Sequence, residues 1–166
     1  MTSPDTPSAP QSDLITQAEE QLRVICGWHI APEKEEVLVA DNREETLVHD
    51  GRVHLAFLPT KKLVEVLEVE ADGEDISLDR VFVESSGILE IKGLSRNTRA
   101  VKVKVRHGYE VMPPALAAVA TAMATRAANP HGSMRVGQIS IGGTTAPTPQ
   151  GAEWRTIDAF KLGPLP

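Results

Sequence analysis

The side chains able to do chemistry in this chain are a few histidines and one row of bases. His49-Asp50 and His54 lie close together in sequence, and His107 stands apart beside Gly108-Tyr109. Imidazoles with a carboxylate suit a zinc-class ion, so His49, Asp50, His54 and His107 form the candidate ligand set for a small metal-dependent enzyme. The local grammar speaks against it. Asp50-Gly51 is a hairpin signal, because that pair tolerates the positive φ of a two-residue turn. A turn there accounts for Asp50 and does not require His49 and His54 to face the same way. His107 is either an acid–base group or a corner residue held by local hydrogen bonds. Neighbouring acids such as Glu35-Glu36 and Glu44-Glu45 diverge in space and read as solvated. The sequence has no phosphate-cradling Gly-rich loop, no Cys/His zinc spacing and no nucleophile elbow, and its single cysteine, Cys26, forms no internal disulfide. The expectation is a non-enzyme with no catalytic residue, metal or cofactor.

The row of bases is Lys102, Lys104 and Arg106, alternating with Val101, Val103 and Val105. Side chains alternate with period two along a strand, so one face is apolar and buried and the other carries a basic stripe. That stripe is either a solvated sheet face or a contact for phosphates or an acidic partner. The strand runs into His107-Gly108-Tyr109, a corner. Pro113 disfavours helix at Met112, and Pro113-Pro114 suit a helix start, where missing N–H groups cost nothing. Corner and helix together make 100–130 the stretch around which the rest is arranged.

Stepping outward along the chain, residues 1–12 are rich in Ser, Thr and Pro and are expected to form a flexible arm. Residues 13–27 carry apolar side chains at helical spacing (Leu14, Ile15, Ala18, Leu22, Ile25, Cys26), with Gly27 as the stop and Trp28 and Ile30 folding back as an apolar plug. Residues 36–106 read as β: about 36–40, 46–49, 52–58, 63–70, 80–84, 87–92 and 100–106, with turn signals at Asp50-Gly51, Asp72-Gly73 and, more weakly, Ser85-Ser86-Gly87. Regular short spacing implies an antiparallel meander curled into a small sandwich or barrel. The fold class is therefore α+β: a small helical core, a β module inserted between the first and second helices, and an extended C-terminal arm ending in a short helix. The main domain spans 13–128.

The second helix, 114–128, has an apolar stripe that includes Leu116, Val119 and Met123, but Ala, Thr and a lone Arg126 opposite it. A helix apolar or small all round has neighbours on more than one side. Those neighbours are either its own domain or another subunit. In the second case Leu116, Val119 and Met123, with Met134, Val136, Ile139 and Ile141 of the following β-capable segment, form the subunit interface. A linker within 129–151 leads to a C-terminal segment, 152–166, in which Trp154, Ile157 and Phe160, followed by Leu162, line one side of a helix too short to stand alone. It docks either on its own domain or on a partner.

Composition bounds the function. In 166 residues, 41% are apolar but only 4% aromatic, so the core is built from Val, Leu, Ile and Ala. The net charge of −6 argues against a protein that coats nucleic acid, and suits a channel that repels DNA. No apolar run spans a bilayer, and the first residues lack the basic and apolar regions of a signal peptide, so membrane insertion and export by that route are not expected.

The order of these features carries a resemblance. A helix ending in Cys26-Gly27-Trp28-His29-Ile30, a β segment with Phe57-Leu58-Pro59-Thr60, a Gly87-Ile88-Leu89 step, and Val105-Arg106-His107-Gly108-Tyr109 leading through prolines into an Ala-rich helix resemble the head-to-tail adaptor proteins of long-tailed bacteriophages, especially those of actinobacterial hosts. It covers about 13–128 and, more loosely, the C-terminal helix. It implies a homo-oligomeric, twelve-fold ring beneath the portal, closed on the tail side by a stopper or tail protein, with genomic DNA passing through its lumen without sequence recognition. It also implies assembly in the host cytoplasm, a final location in the virion neck, and portal contact through the C-terminal segment, hence Trp154, Ile157, Phe160 and Leu162. His107, Gly108, Tyr109 and Pro113 would be the structural corner. A stopper or tail-completion protein is the neighbouring alternative.

Overall fold

A computed structural model describes residues 11–85, 87–128, 135–136, 139–140 and 147–163. Its class is α+β, with three helices and two four-stranded antiparallel sheets. The chain divides into two compact units, Met1–Cys26 with Pro113–Ala159, and Gly27–Met112 with Phe160–Pro166.

The first unit holds helices α1 (Gln11–Cys26), α2 (Pro114–Ala128) and most of α3 (Glu153–Phe160). α1 includes Gln11 and Ser12, expected in the arm, and the rest of that arm, residues 1–10, lies outside the described residues. It ends at Cys26, followed by Gly27 at φ +77°, a conformation that glycine adopts without penalty. α1 and α2 pack together, α1 burying Ala18, Leu22 and Cys26 and α2 burying Leu116, Val119, Ala120, Met123 and Ala124. Small residues on both helices let the backbones approach closely.

The second unit contains strands β1 (Lys34–Asp41), β2 (Leu47–Asp50), β3 (Val53–Phe57), β4 (Leu63–Ala71), β5 (Glu74–Asp75), β6 (Val81–Ser85), β7 (Ile88–Lys92) and β8 (Ala100–His107). The expected meander is corrected: the strands form two sheets of order β1-β8-β4-β5 and β2-β3-β7-β6. The last strand, β8, is inserted between β1 and β4. Both its edges are thereby paired, which removes the exposed edge a meander would leave on its final strand. The inner faces of both sheets share one core, with Leu38, Ala40, Val69, Ala71, Val101, Val103 and Val105 from the first and Leu47, Ala56, Leu89 and Ile91 from the second.

The turns follow local chemistry with one shift. Asp72 and Gly73 both have positive φ between paired Ala71 and Glu74, as a type I′ turn requires. In the β2–β3 hairpin Asp50 pairs with Val53, so the turn is Gly51-Arg52 and not Asp50-Gly51. Only Gly51 has positive φ there, the pattern of a II′ turn. Short strands β9 (Arg135–Val136) and β10 (Ile139–Ser140) pair with each other.

Candidate functional site

The corner at the end of β8 is the most elaborate polar site. β8 pairs Lys34 and Leu63 on its two neighbours with His107, whose ring is 1% exposed. Its Nε2 lies 3.1 Å from Glu36 Oε2 and its Nδ1 3.2 Å from Thr60 Oγ1. The Glu36 carboxyl is held below its usual range, first by the Lys34 ammonium 2.9 Å away, and is therefore an acceptor. That fixes the imidazole: Nε2–H donates to Glu36 and Nδ1 accepts from the Thr60 hydroxyl. Thr60 Oγ1 in turn accepts the Lys62 N–H at 3.3 Å. Burial pushes the His107 pKa down, opposed by its bond to Glu36.

A hydroxyl, an imidazole and a carboxylate in line have the order of a nucleophilic triad. Thr60, however, is itself only 1% exposed, so its oxygen is closed off from solvent. The chain of bonds instead locks the corner. Gly108, at φ +103°, donates its N–H to the Lys62 carbonyl, and Tyr109 donates to Ile30. A Cβ on Gly108 would come within 3.2 Å of the Ile30 carbonyl oxygen and 3.3 Å of that of Pro32. Glu36, read as solvated from its neighbour Glu35, is corrected to a partner of His107. Glu36 shares the inward face of β1 with Leu38 and Ala40, a parity visible in the sequence.

Beside the corner, Trp28, Tyr109 and Phe160 form an aromatic cluster with ring centroids 6.2 and 6.4 Å apart. Trp28 Nε1–H donates to the Phe160 carbonyl at 2.7 Å, and Lys61 Nζ donates to that of Lys161 at 3.0 Å. The Leu162 side chain lies over Gly27, leaving 3.8 Å for a Cβ there. Phe160 and Leu162, expected to present apolar surface to a partner, are thus held by their own β unit. Ile157 is fully buried in the helical unit, where its carbonyl faces the Cys26 thiol. Trp154 is the most exposed of the four, at 39%. The start of α3 is fixed by Arg126, whose guanidinium binds both Glu153 oxygens at 2.8 and 2.7 Å and the Thr148 carbonyl. This pairing holds the Glu153 carboxyl below its usual range and raises Arg126.

Lys102, Lys104 and Arg106 do occupy the wet face of β8, but each meets an acid of β4: Glu70 at 2.8 Å, Glu68 at 3.1 Å, and Glu65. The stripe thus lies on the wet face of the sheet with each base paired to an acid of β4. Glu65 and Glu68 are three residues apart and would point oppositely in a regular strand; register shifts in β4 bring both to the outer face.

Of the expected subunit-interface residues, Leu116, Val119 and Met123 are buried within the chain itself, because they form the α2 stripe that packs in the helical unit. Val136 and Ile139 are paired across β9 and β10. Met134 and Ile141 lie outside the described residues. Pro113 accepts the first α2 bond, from Ala117 N–H at 2.9 Å.

The proposed metal set divides. His49 and His54 sit directly opposite each other across β2 and β3, their rings 4.7 Å apart, so they do share a face. His107 belongs instead with His29, 5.8 Å away. Among the described residues no group of three or more His, Cys, Asp or Glu side chains converges on one point. The chain matches no known protein-family model, and no curated protein is detectably similar to it.

Proposed function

We propose that the chain is a structural subunit of a bacteriophage neck, an adaptor that assembles in copies beneath the portal and lets DNA pass. The observation that carries this reading is the order of its parts: a helix ending in Cys26-Gly27-Trp28, a β segment, the His107-Gly108-Tyr109 corner, and a Pro-Pro start to an Ala-rich helix. The architecture that goes with it is a small helical core with a β sandwich inserted between the first and second helices and a C-terminal arm ending in a short helix. Three features support it. The exposed side of α2 is Ala115, Ala118, Thr121 and Thr125, with both hydroxyls turned back to backbone carbonyls, a smooth face suited to close packing of copies. The bases of β8 are neutralised and the chain is net acidic, which suits a conduit that does not retain DNA. Trp154 offers an aromatic anchor on the short helix.

Mixing the purified chain with portal protein and viewing it by negative-stain microscopy tests the proposal. Rings or portal-bound assemblies are expected, and a persistent monomer in the presence of portal overturns it. Trp154→Ala should weaken portal attachment by about 2 kcal/mol, as loss of an aromatic anchor commonly does, while leaving the fold intact. Cross-linking from position 154 to a tail protein, and not to portal, would move the subunit to the stopper station.

A further inference from the structure

Among the described residues, three buried side-chain nitrogens lack a hydrogen-bond partner: Arg106 Nε and both ring nitrogens of His54. His54 is 2% exposed, on the inner face of β3 with Ala56, and opposite Ile91 of β7. An imidazole buried this way forfeits its hydration without replacement, so the position calls for something that binds its nitrogens. The side chain facing it across the ladder is the exposed His49. His49 Nδ1 lies 3.2 Å from the Val53 carbonyl oxygen, so Nδ1 carries the proton and Nε2 keeps its lone pair. An imidazole oriented by a backbone carbonyl on its far nitrogen is how proteins prepare a metal ligand.

We propose that His49 and His54 form a two-imidazole site for a divalent late first-row transition ion of the Zn2+ class, stapling β2 to β3 at the end of the hairpin. His49, held by Val53 on the exposed side, supplies the solvent-facing ligand, and His54 supplies the buried one. Since no third His, Cys, Asp or Glu converges there among the described residues, water completes the coordination. The adjacent Gly51-Arg52 turn sets the register that makes the two rings opposite. This inference is independent of the neck assignment.

The test is a calorimetric Zn2+ titration of the full, untagged chain at neutral pH, with thermal melts and nitrogen NMR of the histidine rings alongside. One equivalent should bind, raise the melting temperature and shift ring nitrogens of both His49 and His54. His49→Ala, at an exposed position, should melt like wild type without metal. It should bind Zn2+ at least about tenfold more weakly, since even losing a ligand's supporting partner costs that much. His29→Ala should bind as wild type. Equal affinity in His49→Ala, loss of binding in His29→Ala, or no binding and no melting shift in wild type would each overturn the proposal.

Discussion

His107 and His54 are buried to the same degree, one on each sheet of the β unit, and the surroundings treat them in opposite ways. Around His107 every polar atom has an assignment: Lys34 holds Glu36, Glu36 accepts the Nε2–H bond, and the Thr60 hydroxyl donates a hydrogen bond to Nδ1. Around His54 the core supplies apolar neighbours and one exposed imidazole. A buried histidine is thus no signature by itself. Its partners decide whether it braces the fold or waits for a ligand.

The comparison breaks most readily next to His107. Gly108→Val should cost about 3 kcal/mol or more, since a β-branched residue resists φ near +103° and its Cβ crowds two carbonyl oxygens. Urea unfolding measures it, and an unchanged midpoint would remove the corner from the account. His107→Leu should destabilise by about 2 kcal/mol, because it leaves the buried Thr60 hydroxyl without an acceptor.

His54→Leu should do the reverse, stabilising the metal-free chain by about 1 kcal/mol through removal of an unsatisfied buried ring. The two leucine variants having the same sign would erase the distinction. The same pair sets the acid limb. Burial lowers the pKa of both histidines in the folded state, so the unfolded chain binds more protons as pH falls. Their contribution is complete above the ordinary histidine value of about 6.5 and is lost on acidification below it. Denaturation midpoints across that range should therefore fall less steeply in His54→Leu than in wild type. At the small end, Lys104→Ala removes an exposed ion pair with Glu68 and should change stability by no more than about 0.5 kcal/mol.

Most elements were legible from patterns that backbone geometry enforces. Val101, Val103 and Val105 read as one face of a strand, and Pro113-Pro114 suit the start of a helix. Strand neighbours were not legible, because alternation says which side a residue faces and not which strand lies beside it. The insertion of β8 between β1 and β4, and with it the neutralised stripe, follows from pairing across distant segments and from register shifts in β4. The histidine pair turned on a single position. A turn at Asp50-Gly51 would set His54 opposite Leu47, whereas the observed Gly51-Arg52 turn sets it opposite His49. Glu36 was hidden for another reason: its acidity suggested solvent, while its parity with Leu38 placed it on the inner face.

The chain contains two tryptophans, and the structure gives each a separate station. Trp28, 5% exposed in the β unit, has its indole bonded to the Phe160 carbonyl, whereas Trp154 is 39% exposed in the helical unit. Unlabelled protein therefore carries two native optical reporters: blue-shifted emission that reddens when the C-terminal segment lets go, and quencher-accessible emission that dims when position 154 is covered. With either tryptophan replaced by phenylalanine, a fluorimeter alone distinguishes release of the tail from arrival of a partner.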